Sequence, residues 1–139
     1  MFLTIESVPD ALTEVIATSP MRLMASPYWV IRTKEVTPSR AHLAVVDDGV
    51  ETTVVTSDQA MAERLPTSEV EGPFACIRLE ISLSFGAPGF IAAATSACAT
   101  RGLNVFIIST FSFDYLLVPL CDQGAALDAL AHIGFPIEA

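Results

Sequence analysis

Basic side chains are scarce in this sequence: seven Lys and Arg stand against sixteen Asp and Glu, for a net charge of −9. The seven (Arg22, Arg32, Lys34, Arg40, Arg64, Arg78 and Arg101) are scattered along the chain. Neutralising a run of phosphates takes a basic face, so nucleic acid is not an expected partner. Long apolar runs are missing as well. No stretch reaches the roughly 18 apolar residues that a membrane helix needs, and no basic segment precedes an apolar one at the N-terminus. The expectation is a cytosolic protein with no membrane contact.

Cysteine is sparse, and Cys76, Cys98 and Cys121 show no Cys-x-x-Cys spacing. An odd number of cysteines in apolar surroundings reads as buried thiols in a reducing compartment. Cys98 lies mid-helix among alanines, with nothing adjacent to stabilise a thiolate. The two histidines, His42 and His132, fall in an alternating strand and near a helix end, where they read as solvated or capping residues. No metal-ligand spacing and no Walker-type loop occurs, so neither metal nor cofactor is expected. Catalysis would need a nucleophile or a proton-transfer group in a pocket, which makes a small enzyme the weakest reading.

What is present is hydrophobic: 52% of 139 residues, enough to bury a sizeable core in one domain or two very small ones. Phe2-Leu3-Thr4-Ile5 starts like a strand. Residues 11–18 are ambiguous between helix and strand; Thr13, Val15, Ile16 and Thr18 tilt the reading to strand. Residues 21–25, bracketed by Ser-Pro pairs, have room for one or two helical turns. Residues 28–33 form a clear strand, and residues 41–46 and 51–56 flank the hairpin turn Asp47-Asp48-Gly49. Ser57-Asp58 caps a short helix through Leu65. Residues 66–73 read as a linker, and residues 74–82 as an alternating strand.

The stretch from Leu83 to Pro119 organises the rest. Leu83-Ser84-Phe85-Gly86-Ala87-Pro88-Gly89 opens a helix over 88–101, which Gly102 stops in the left-handed conformation. Pro88 suits a first helical turn, because the N–H it lacks would be orphaned there. Gly86 and Gly89 expose bare backbone at a helix N-terminus, where amide groups and the helix dipole favour a carboxylate. Strands over 104–111 and 113–118 follow, and Asp122 is placed to cap a helix over 123–133 that Gly134 ends. The tail Phe135-Pro136-Ile137 can add an edge strand. Asp114 sits oddly between Phe113 and Tyr115. It either caps a turn or faces Gly89 across a short gap.

These residues resemble a known family. Ala87-Pro88-Gly89-Phe90-Ile91, then Arg101-Gly102-Leu103-Asn104-Val105, is similar to the proline-glycine turn, helix and Gly-Leu-Asn signature of ACT domains. Ile108-Ser109-Thr110-Phe111-Ser112-Phe113-Asp114-Tyr115-Leu116-Leu117-Val118-Pro119 resembles a run of the small tandem-ACT proteins of bacteria and the eukaryotic cytosolic arginine sensors. The resemblance is strong over 70–135 and weak over 28–66.

The resemblance implies an α+β fold of two ferredoxin-like βαββαβ units, antiparallel sheets with helices on one face, divided as a divergent first half, 1–69, and a second ACT domain, 70–139. It implies a non-catalytic sensor that binds a small ligand, commonly an amino acid, between domains, and a homodimer. Carried over, the ligand loop is Ser84, Phe85, Gly86, Ala87, Pro88 and Gly89, and the facing wall is Thr110, Phe111, Phe113 and Asp114. Ala87 stands where the sensors have an acidic residue, and Ser112 where many bacterial relatives do, so arginine itself is not implied. A stand-alone assembly module without a ligand is the competing reading.

Overall fold

The computed structural model describes residues 10–81 and 87–138. The strand read at Phe2–Ile5 and the loop residues Ser84, Phe85 and Gly86 lie outside that range. The fold is α+β: one curled antiparallel sheet with helices on one face. In chain order it comprises α1 (Asp10–Ala17), β1 (Met21–Leu23), β2 (Tyr28–Arg32), β3 (His42–Asp47), β4 (Thr52–Thr56), α2 (Gln59–Arg64), β5 (Val70–Leu79), α3 (Phe90–Ala99), β6 (Phe106–Ser109), β7 (Asp114–Pro119) and α4 (Gln123–His132). The sheet order is β3-β4-β2-β5-β7-β6, with β1 added on β5.

Four local readings change. Residues 10–17 are helical despite their β-branched side chains. Leu12 and Ile16, one turn apart, bury against the main core, and packing of that face outweighs propensity. Residues 21–23 are a strand rather than helical turns, paired Met21↔Leu79 and Leu23↔Ile77. The stretch read as a linker is a 3₁₀ turn, Thr67–Glu69, followed directly by β5, because Val70 and Glu71 pair with Ile31 and Val30. Asp122 makes no side-chain cap; a 3₁₀ turn, Leu120–Asp122, leads into α4 instead. Asp58 does cap α2, accepting the Met61 N–H at 3.0 Å.

β5 is the central strand, and it serves two partners on one side. Its C-terminal half pairs with β1 and its N-terminal half with β2. Between Tyr28↔Phe74 and Val30↔Glu71 the register shifts, so β5 carries one residue more than β2 across the same span. Gly72 sits in this bulge at φ 130°, against Tyr28 and Trp29. An extra residue inverts the alternation of side chains along a strand. It puts Phe74 and Cys76 on the same face as Val30 and Val55.

Among the described residues that face carries no helix. Its cluster draws Leu43 from one edge strand and Ile108 from the other, around buried Phe74, Cys76, Tyr115 and Leu117. The sheet therefore curls over its own apolar face. On the opposite face α1, α3 and α4 cover Ile77, Leu79, Leu116 and Val118. Ile31, Val54 and Met61 make a small separate cluster under α2.

The 69/70 boundary falls just before β5, but α1 and β1 supply Leu12, Ile16 and Met21 to the core built mainly by residues beyond it. Met21 also binds the tail: its N–H donates to Pro136 O at 2.7 Å, Glu138 N–H donates to its carbonyl at 2.8 Å, and Ile137 bridges to it in parallel. The order β5-α3-β6-β7-α4 is that of a ferredoxin-like unit, completed on β5's free side by β1. Among the described residues the first half contributes α2 alone to its own strands β2–β4.

Cys76 and Cys98 are buried as expected, whereas Cys121 is exposed. Burial pushes the Cys76 thiol up to about 12, against a smaller opposing pull from Arg78. Burial also raises Cys98. A thiolate-dependent reagent such as Ellman's, applied to the native protein at pH 8, is expected to titrate one thiol rapidly, Cys121, and the other two only after denaturation. Rapid reaction of all three in native buffer would contradict this packing. No helix among the described residues is long and apolar enough to cross a membrane.

Candidate functional site

The start of α3 and the β6–β7 hairpin face each other across a cleft of about 490 Å³. One wall runs from Ala87 to Ala92, the other from Ser109 to Asp114, with Ile81 also contributing. Gly89 is the N-cap of α3 at φ 89°, a left-handed conformation suited to glycine. The first amide groups of a helix have no partner within it; that of Phe90 turns back to Ala87 O at 3.1 Å, and the next two residues, Ile91 and Ala92, line the cleft. Phe90 anchors the turn from beneath, edge-on to Phe135 at 5.5 Å between ring centroids.

The hairpin wall is held by its own hydrogen bonds. Thr110 N–H donates to Phe113 O at 2.8 Å, and Phe113 N–H donates back to Thr110 Oγ1 at 3.2 Å. Asp114 pairs with Ser109 across the strands, and the Ser109 hydroxyl donates to its Oδ1 at 2.6 Å. Asp114 faces the helix side, since Leu116, two residues on, is in the helix-side core. It is half-buried, and it is the one charged residue among the described lining residues. Phe111 projects at the rim, 84% exposed.

All seven described candidates (Ala87, Pro88, Gly89, Thr110, Phe111, Phe113 and Asp114) line this cleft. Asp114 braces the hairpin through Ser109 across the strands, while Thr110 and Phe113 hold the turn, and it shares a cleft with Gly89. Ser109 and Ser112 are polar lining residues that the predicted site left out, and Ser109 is the one bonded to Asp114. Its signal was cross-strand: it stands opposite Asp114 once the hairpin register is set. His42 is structural, bonded through Nδ1 to Thr56 Oγ1 and through Nε2 to Thr37 O, both at 2.9 Å. No group of three or more His, Cys, Asp or Glu suited to a metal occurs among the described residues.

Chemically, the cleft joins a helix N-terminus, which favours a carboxylate, to a carboxylate, which favours a cation. Between them lie small hydroxyls and an aromatic rim. It contains no cysteine, histidine or lysine among its described residues.

Residues 69–132 match the ACT domain family, so an ACT domain is present in the chain. No curated protein matches it. Among solved structures it is similar to a structural-genomics target from Agobacterium tumefaciens, at 23% identity over 86% of this chain and 92% of that one, TM-score 0.70. A Vibrio cholerae protein of unknown function, described as a possible transport protein, aligns at 22% identity over 88% and 95%, TM-score 0.72. The regulatory subunit of aspartate kinase from Thermus thermophilus, in ligand-free form, aligns at 14% identity over 85% and 97%, TM-score 0.62. At these identities the likeness is one of fold.

Proposed function

We propose that this chain is a non-catalytic regulatory module that binds an amino acid in the cleft between α3 and the β6–β7 hairpin. The observation that carries the reading is the pairing of the α3 N-terminus with Asp114 across one cleft of about 490 Å³. A zwitterion with a polar or basic side chain matches both ends, its carboxylate toward the helix amides and its cationic group toward Asp114. The role as a regulator draws on the detected ACT domain and on the aspartate kinase regulatory subunit that shares the fold. In this reading residues 70–139 form the ligand-binding half, residues 1–69 a divergent companion, and Ser84, Phe85 and Gly86 complete the ligand loop.

The proposal extends to a cytosolic homodimer. β6 is an edge strand that presents Phe106, 43% exposed, and an unpaired row of backbone groups is a template for a second copy. A thermal-shift screen of the twenty amino acids tests the ligand, since binding to the native state alone raises the melting temperature by mass action. A rise with one polar or basic amino acid and none with the rest supports a sensor. Silence across the set favours the competing reading, an assembly module with no small ligand, and sedimentation then becomes the decisive measurement.

A further inference from the structure

The basic residues that look scattered in sequence are not all scattered in space. β1 and β5 pair Arg22 with Arg78 directly, and in an antiparallel pair such partners project from the same face. Their neighbours in the register, Met21 with Leu79 and Leu23 with Ile77, belong to the helix-side core, so both arginines lie on the helix-free face. Like charges directly opposite one another destabilise a strand pair. This chain, with sixteen acidic residues available, gives neither arginine an ion pair among the described residues, while Arg32 pairs with Glu69 at 2.6 Å and Glu51 at 3.7 Å.

Arg78 is further committed. Its guanidinium carbon lies 4.4 Å from the centroid of the Phe113 ring, and its Nε is buried with no hydrogen-bond partner. A buried, unsatisfied donor on a charged group is costly and calls for an explanation, an ion being one of the usual ones. Tyr115 is the next residue in the same row, paired with Arg78 across β7. Phe113 and Tyr115 lie on the β7 side of β5 and Arg22 on its β1 side, so an anion reaching both arginines would sit over β5. Glu80, two residues beyond Arg78, makes no ion pair with either arginine among the described residues.

We propose that Arg22 and Arg78 form a binding site for a compact oxyanion, a carboxylate or phosphate group, on the helix-free face of the sheet. An oxyanion between two guanidinium groups accepts several charge-assisted hydrogen bonds and removes the repulsion between them. The site is separate from the cleft, which opens on the helix side. Among the described residues the two meet only at Phe113, which supports Arg78 and also lines the cleft.

The test is thermal unfolding in inorganic phosphate or malonate, with chloride at matched ionic strength as the reference. With 10-fold excess over the dissociation constant, one of these anions is expected to raise the melting temperature of the wild type by about 5 °C. Arg22→Gln, an exposed substitution that leaves the core intact, is expected to abolish the rise, and Arg78→Gln to do the same. A response to phosphate alone or to malonate alone supports the site and names its group. A response no larger than chloride gives would overturn the proposal. So would a rise that persists in Arg22→Gln, which would place the anion at the α3 N-terminus. If Arg78→Gln fails to fold, Arg22→Gln decides alone.

Discussion

Gly72→Ala is expected to destabilise the protein by about 3 kcal/mol, lowering the melting temperature by about 10 °C. Gly72 adopts φ 130°, which L side chains rarely take, and a Cβ there would stand 2.9 Å from Trp29 Cδ1 and 3.0 Å from the Tyr28 carbonyl oxygen. Backbone on one side and an indole ring on the other leave little room to yield. The damage extends beyond the contact, because the bulge at Gly72 sets which face Phe74 and Cys76 occupy. Gly49→Ala is the control. It also has positive φ, 83°, but no atom lies within 4 Å of the added carbon, so it should cost only about 1 kcal/mol. Chemical denaturation of the two variants compares them directly, and equal losses would show that crowding at Gly72 contributes nothing.

Asp114→Asn is expected to leave the fold in place and to weaken binding of the amino acid found by the screen about 30-fold, or about 2 kcal/mol. Asparagine keeps an oxygen in the position that accepts the Ser109 hydroxyl, so the hairpin retains its brace. What it removes is the only negative charge among the described lining residues. A hydrogen bond to a charged group loses roughly this much when the charge goes, and more when the site excludes water. Isothermal titration of the variant decides the point. Affinity equal to wild type would make Asp114 a hairpin residue alone and move the cation-binding end of the ligand elsewhere.

Much of the sheet was legible because strands announce themselves locally. Tyr28-Trp29-Val30-Ile31-Arg32 and Asp47-Asp48-Gly49 carry their strand and turn chemistry in a few residues, and β2 and the β3–β4 hairpin formed there. Pro88, Gly89 and Gly102 likewise marked the ends of α3, with Gly102 at φ 73°. Residues 10–17 misled because local preference pointed to a strand while Leu12 and Ile16 found a core made by distant segments. Packing decided it, and packing partners are not visible in a window of eight residues. The same holds for Arg22 beside Arg78 and Ser109 opposite Asp114, which register alone brings together. Of the cleft, Gly89 and Asp114 were singled out on local grounds, whereas Thr110, Phe111 and Phe113 were added by the resemblance alone.

The placement of α1 and β1 bears on the order in which the chain acquires its structure. Both segments are synthesised before β5, yet the surfaces that bury Ile16 and Met21 come from β5, β7, α4 and the tail at Pro136–Glu138. Until those are synthesised, an apolar helix and a three-residue strand have nowhere to dock. Made before their partners, α1 and β1 are thus among the last segments to settle, and closing so long a loop makes docking slow compared with forming the β3–β4 hairpin. A nascent chain of this kind depends on whatever shelters its N-terminal residues while the remainder is made, and cutting it just ahead of β5 would strand both pieces with half a core.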